Sequence, residues 1–293
     1  MSAPTRSSPA GAAALPTLAL ARERGVPIVM LTAYDYPTAR IAQAAGVDVI
    51  LVGDSAANVV LGYQSTRDIG VDELLMLTRA ARRAVDAVPL VGDLPFGSYE
   101  DSDELAVATA RRFVVEAGCD AVKLEGAGEM LSRVRAIIAV GIPTIGHVGL
   151  LPQSVLAPDG YRAQGRDTEQ ALQIIADGMA LEAAGCAALI VEAVPSAVAE
   201  LLTARVTIPV IGIGAGAGTN GQVLVFHDLL GLGEEGGHVA KFVERYAEGR
   251  KTLEEGARRW VEDVRAGRYP RPEHGYTIAP EALAIVNEHL RRD

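Results

Sequence analysis

Val47-Asp48-Val49-Ile50-Leu51-Val52-Gly53-Asp54-Ser55 is a nearly continuous apolar run that ends abruptly in a carboxylate and a hydroxyl. A run without alternation suits a strand covered on both faces, as in a parallel sheet packed under helices. The polar pair at its carboxyl end then stands on the rim where α/β proteins place their chemistry. The chain repeats the pattern: Ala45-Gly46 leads to Asp54, Ala117-Gly118 to Glu125, and Ala184-Gly185 to Glu192. About seven positions separate glycine from acid each time, the length of a strand and its exit.

A second set of runs opens at Val26-Pro27, Val88-Pro89, Ile142-Pro143 and Ile208-Pro209. Proline is tolerated there because the first strand residue needs no ladder N–H. These runs exit into Tyr34-Asp35, Asp93, His147 and Gly212-Ile213-Gly214. The two sets alternate and give seven strands, and Gln222 to Phe226 supplies an eighth. Eight βα units predict one closed (β/α)8 TIM barrel, with an open doubly wound sheet as the alternative.

The 293 residues are 49% hydrophobic and 22% charged, enough for one large core. A net charge of −10 argues against nucleic acid or an anionic membrane as partner. Cys119 and Cys186 lack CxxC spacing and read as buried, reduced thiols of a cytoplasmic protein. No apolar run approaches the ~20 residues of a spanning helix. Arg6 and the apolar stretch from Gly11 to Leu20 imitate a signal peptide, but Pro16 breaks the stretch and no basic cluster precedes it.

Residues 1–15 therefore read as a disordered tail, 16–267 as the barrel, and 268–293 as a linker and C-terminal helix. A short helix from Thr17 closes the barrel floor. Residues 56–71 and 150–166 are long rim loops, the first a candidate lid. Asp72 and Ser196 read as helix caps. From Asp72, Leu74, Leu75, Leu77 and Thr78 face inward and Arg79, Arg82 and Arg83 outward. Val239 to Gly267 reads as two helical pieces broken at Gly249. Pro280 starts a last helix with a Leu283, Val286 and Leu290 stripe.

Asp54, Asp93 and Glu125 end the second, third and fourth strands, which are neighbours in a barrel. Three carboxylates on one rim repel unless a cation sits among them, and oxygen ligands favour Mg²⁺ over zinc. The plainer alternative is three separate acids, each capping a helix or pairing with Lys123 or an arginine. Lys123 lies two residues before Glu125 and points the same way, so it neutralises the acids or holds an anionic substrate. His147 ends the fifth strand as a hydrogen-bonded rim residue or a catalytic one. Glu192 ends the sixth, across the mouth, with apolar neighbours that suit a general base. Gly212 to Gly218 matches a dinucleotide fingerprint only loosely, and fits a phosphate or flat-ring site better.

Taken together these stretches resemble the ketopantoate hydroxymethyltransferase family. The resemblance is carried by Leu31-Thr-Ala-Tyr-Asp-Tyr36, Val52-Gly-Asp-Ser55, Asp93-Leu-Pro-Phe96, Val122-Lys-Leu-Glu-Gly126 and Gly146-His-Val-Gly149. Pro152-Gln-Ser154, Gln164-Gly-Arg166, Ile208 to Gly216, Gly221 to Val225 and Glu273-His274 extend it. Leu151, Pro158-Asp159-Gly160 and Asn220 depart from the family pattern, and the tail beyond Gly275 is extra.

The resemblance implies a (β/α)8 barrel that transfers a one-carbon unit from 5,10-methylenetetrahydrofolate to 3-methyl-2-oxobutanoate in pantothenate synthesis. It also implies Mg²⁺ and a cytoplasmic homo-oligomer, commonly a decamer. Asp54, Asp93 and Glu125 become the metal residues. Asp54, Ser55, Asp93 and Lys123 contact the oxoacid, with His147 placed beside them, and Glu192 is the proton acceptor. Two rivals stand beside this reading: a folate-independent Mg²⁺-dependent lyase or phosphonomutase acting on a 2-oxoacid, and a barrel that binds without catalysing.

Overall fold

The structure, a computed structural model, describes residues 15–155, 162–233 and 240–291. It divides into two compact units, residues 1–246 and 247–293. The first begins with helix α1 (Pro16–Glu23), strand β1 (Ile28–Thr32), α2 (Tyr36–Ala44), β2 (Val49–Val52) and α3 (Ala56–Val59). It continues through α4 (Val71–Arg82), β3 (Leu90–Asp93), α5 (Asp103–Val115), β4 (Ala121–Glu125), α6 (Met130–Ala139) and β5 (Thr144–Gly149). Next come α7 (Thr168–Ala183), β6 (Ala188–Glu192), α8 (Ser196–Arg205), β7 (Val210–Ile213), β8 (Gly221–Leu224) and α9 (Phe226–Leu229). The second unit holds α10 (Gly249–Arg265) and α11 (Pro280–His289).

The eight strands close in chain order, and β1 pairs in parallel with both β2 and β8, so the sheet is a barrel and not an open one. Side chains alternate between two packed layers. Val49 and Leu51 of β2 join the interior core, while Ile50 and Val52 pack in the layer between strands and helices. Leu15 and Leu18 belong to the interior cluster too, so α1 closes the floor as its sequence predicts. Arg22 secures that helix by donating to the carbonyls of Val206 and Ile208.

Inward rows run from apolar at the floor to ionic at the mouth. Val91 is followed two residues on by Asp93, Ala121 by Lys123 and Glu125, Ile145 by His147, and Ile190 by Glu192. Register then sets Asp93 beside Lys123, Glu125 beside His147, and Gly149 beside Glu192.

Several local expectations are corrected. Asp72 does not cap α4: the N-cap is Gly70, whose N–H donates to Glu73 at 2.8 Å, and Asp72 is the second residue of the first turn, paired with Arg112 at 2.8 Å. Ser196 is the first residue of α8 after Pro195 and makes no cap bond. The described part of the stretch predicted as two helical pieces, residues 240–267, carries one helix, which begins at Gly249 instead of breaking there. The eighth strand stops at Leu224, because the Phe226 N–H donates to Thr32 Oγ1 at 2.9 Å and α9 begins. The loop at 56–71 contains α3 and a 3₁₀ turn, Thr66–Asp68. The disordered-tail expectation lies largely outside the described residues.

Arg82 turns back instead of outward, donating to Asp120 Oδ2 at 2.9 Å, while the same oxygen accepts the Leu90 N–H at 2.8 Å. Asp120 thus anchors α4 and β3 to the start of β4. Asp120→Ala should lower stability by about 1–3 kcal/mol in a urea titration, the cost of stranding buried donors. A change within the ~0.5 kcal/mol of an ordinary surface substitution would refute that anchoring. Cys119 and Cys186 are free and buried. Among the described residues no helix is long and apolar enough to cross a membrane.

Candidate active site

Asp54, Ser55, Asp93, Lys123, Glu125, His147 and Glu192 line one cavity of about 880 Å³ at the carboxyl ends of the strands. The sequence predicts all seven, and the barrel gathers them. Five of them are almost wholly buried: Asp54, Asp93, Lys123, Glu125 and His147.

Lys123 Nζ donates to both oxygens of Asp93, at 2.8 and 2.9 Å, and stands 3.8 Å from Glu125 Oε1. Burial pulls the lysine pKa down, but Asp93, Glu125 and Asp54 outweigh it and raise it above its ordinary value, so the ammonium is retained. The Asp54 carboxyl is pushed well above the usual carboxylate range by burial and then by Asp93. Asp93 is itself raised, burial outweighing the lysine. Asp93 Oδ2 also accepts the Asp54 N–H at 3.1 Å, and Tyr34 Oη lies 2.8 Å from Ser55 Oγ.

His147 bridges the acid cluster to Glu192. Its Nδ1 lies 3.3 Å from Glu125 Oε1 and its Nε2 3.3 Å from Glu192 Oε2, both outside hydrogen-bond geometry. Burial and Lys123 lower the imidazole pKa, yet Glu125 and Glu192 overcome them and lift it to about 9. Glu125 is held below its usual value, because His147 and Lys123 outweigh its burial. Glu192 is therefore less apolar in its surroundings than Ile190 and Val191 suggest, and its side chain is 17% exposed to the cavity.

Backbone features aim Glu192. Gly149 has φ +96°, and a Cβ there would lie 2.3 Å from the Glu192 carbonyl oxygen, so only glycine lets β5 and β6 approach at that level. Ala193 has φ 47°, the one positive value at a non-glycine among the described residues. Its N–H donates to Ile213 and its carbonyl accepts from Gln164, each at 2.8 Å. Such a conformation costs of order 1–3 kcal/mol and persists where surroundings impose it, commonly at functional sites.

Among the described residues no group of three or more His, Cys, Asp or Glu side chains is arranged to hold a metal ion. Asp93 spends both oxygens on Lys123, and Glu125 accepts the Gln153 N–H at 3.0 Å. The donor chemistry nevertheless fits a hard cation. Three buried carboxylates face one lysine and one imidazole, and Mg²⁺ keeps several waters and takes only one or two protein carboxylates.

Sequence reasoning assigns no role to Tyr99, Gln153, Arg162 or Phe242. Gln153 appears there only inside a motif. Phe242 rests on Gly214, where a Cβ would lie 2.4 Å from its ring, and both line the cavity with Arg162. Nothing in the spacing of these residues signals that they meet.

The family described as Ketopantoate hydroxymethyltransferase matches residues 13–272. A 3-methyl-2-oxobutanoate hydroxymethyltransferase of Geobacillus kaustophilus is 46% identical over 89% of this chain and 92% of that protein. One from Frankia alni is 49% identical over 88% of this chain and 84% of its own. Among solved structures, a phosphoenolpyruvate phosphomutase from Streptomyces platensis superposes with TM-score 0.60 at 19% identity, covering 96% of each chain. A phosphonopyruvate hydrolase solved with oxalate and Mg++ gives TM-score 0.58 at 14% identity, covering 95% of this chain and 96% of that one. These two share the barrel.

Proposed function

Because the chain belongs to the ketopantoate hydroxymethyltransferase family, we propose that it uses 5,10-methylenetetrahydrofolate as donor and Mg²⁺ as cation to convert 3-methyl-2-oxobutanoate into 2-dehydropantoate. The reaction is a step of pantothenate synthesis. The single observation that carries the residue roles is the gathering of three carboxylates, Lys123 and Glu192 around one cavity.

Asp54 and Asp93 would hold the cation with its waters, and Glu125 supports the set through Lys123 and His147. Mg²⁺ bound there would supply Lewis-acid polarisation of the keto group. The oxoacid carboxylate and keto oxygen lie toward Asp54, Ser55 and Lys123, and the ammonium balances negative charge that grows on the keto oxygen. Glu192 takes the C3 proton. Water adds to the methylene carbon as both of that carbon's bonds to the folate nitrogens break, and the two water hydrogens leave on tetrahydrofolate. The enolate carbon then bonds to the formaldehyde carbon so formed, whose oxygen takes the proton back from Glu192. His147 steadies the Glu192 carboxylate. The cavity exceeds the needs of a small 2-oxoacid, which leaves room for a folate against Gly214 and Phe242.

Turnover of 3-methyl-2-oxobutanoate should require both Mg²⁺ and the methylene donor. Turnover that ignores the donor hands the chain to the lyase or phosphonomutase reading, and no exchange of the substrate C3 hydrogen hands it to the binding-only barrel. The 44–49% identity to named hydroxymethyltransferases favours transfer. We further propose a cytoplasmic homo-oligomer, a decamer by resemblance. Helix α10 has no buried residue and leaves Leu253, Trp260 and Val264 exposed, apolar surface of the kind a second copy covers. Light scattering reads the mass directly, and a fully active monomer would contradict the assembly.

A further inference from the structure

Gln153 is buried and lies in the 3₁₀ turn Pro152–Ser154 that follows β5, yet it touches the exits of three other strands. Its Nε2 donates to Asp54 Oδ2 beyond β2 at 3.1 Å and to the Leu94 carbonyl beyond β3 at 3.0 Å. Its backbone N–H donates to Glu125 Oε2 at the end of β4 at 3.0 Å. Its Oε1 accepts from the Tyr99 hydroxyl at 2.7 Å, and that hydroxyl accepts the Glu125 N–H at 3.3 Å.

These bonds leave the amide one orientation. Tyr99 receives the Glu125 N–H, so its own hydrogen goes to Oε1, and both Nε2 hydrogens are then committed to acceptors. One of those acceptors is Asp54, whose Oδ1 has no hydrogen-bond partner among the described residues. Glu125 lines both the large cavity and a second one of about 400 Å³, which Gln153 also lines.

We propose that Gln153 is a positioning residue for the transfer reaction, holding the Asp54 carboxylate in the orientation that binds the 2-oxoacid and its cation and fixing the Glu125 carboxylate that supports the set. The proposal rests on the reading of Asp54 as an oxoacid and cation residue. Gln153 touches neither ligand. It acts by giving one Asp54 oxygen a fixed donor, which leaves the other for the cavity, and by clamping Glu125 against the same turn. A hydrocarbon of similar length keeps the backbone N–H that reaches Glu125 but cannot give Asp54 its donor, and a carboxylate there would set an acceptor against Asp54.

Calorimetry of 3-methyl-2-oxobutanoate binding with saturating Mg²⁺ tests this. Gln153→Met should weaken binding roughly tenfold or more, the loss typical of one hydrogen bond to a charged group. Gln153→Glu should weaken it further. Combining Gln153→Met with Asp54→Asn should bind no more weakly than Asp54→Asn alone, because the two act as a unit. A residue that merely supports the fold would give additive losses, and additivity overturns the proposal. Tyr99→Phe removes only the hydroxyl that orients the amide and should lower affinity in the same direction, which keeps the test open if Gln153→Met does not fold. Normal affinity in Gln153→Met, or in Tyr99→Phe if that variant carries the test, beside a weakened Asp54→Asn overturns the positioning role alone. Normal affinity in Asp54→Asn overturns the site reading and this proposal with it.

Discussion

Glu192→Gln is expected to keep its 2-oxoacid and lose its chemistry. The side chain ends an inward row of β6, with His147 Nε2 3.3 Å from its Oε2 and the cavity open on its other side. Glutamine preserves size and can still meet the imidazole, but it cannot accept the C3 proton. General base catalysis is typically worth ~10²–10⁴ in rate. Exchange of the substrate C3 hydrogen in deuterated water, followed by NMR with Mg²⁺ and without folate, should fall by about that factor, while oxoacid affinity stays near that of the unmodified enzyme. The folate-free format isolates proton removal from one-carbon transfer. Exchange at the original rate would pass the role to His147 or to a water.

The largest effect on stability is expected at Lys123. Its ammonium makes two hydrogen bonds to Asp93 inside the barrel mouth and lies near Glu125, all three side chains being almost fully buried. Lys123→Met keeps the aliphatic stem and removes the charge, which leaves Asp93 uncompensated beside Asp54 and Glu125. Breaking a buried pair from one side costs about 3–5 kcal/mol. Urea titration in a chelating buffer should show a loss of that size, since no added cation then replaces the lysine. Adding Asp93→Asn should recover much of it, because the stranded charge goes with it. A double variant no more stable than Lys123→Met alone would show that the lysine acts through packing and not through the pair.

Much of this protein is legible along the chain because two regularities are local. Apolar runs opened by glycine or proline mark strands buried on both faces, and the two-residue period carries each inward row from Val91 to Asp93, from Ala121 through Lys123 to Glu125, and from Ile190 to Glu192. Helix ends were less legible. Gly70 caps α4 through a glutamate three residues on, and a single cap position is decided by which backbone N–H is left free. The acids, Lys123 and the barrel were therefore determined by sequence alone, since strand number and side-chain parity follow from local pattern.

Tertiary structure decided what those groups do to one another. Asp93 beside Lys123, His147 between Glu125 and Glu192, and Gln153 reaching Asp54 from the far side of the mouth all depend on register between strands distant in the chain. Among the described residues it also left no three acids arranged as a ready metal cradle, both oxygens of Asp93 being taken by the lysine. Hydrogen bonds and Coulomb interactions act through space over a few ångströms, and spacing along a sequence says which way a side chain points but not which charge it meets.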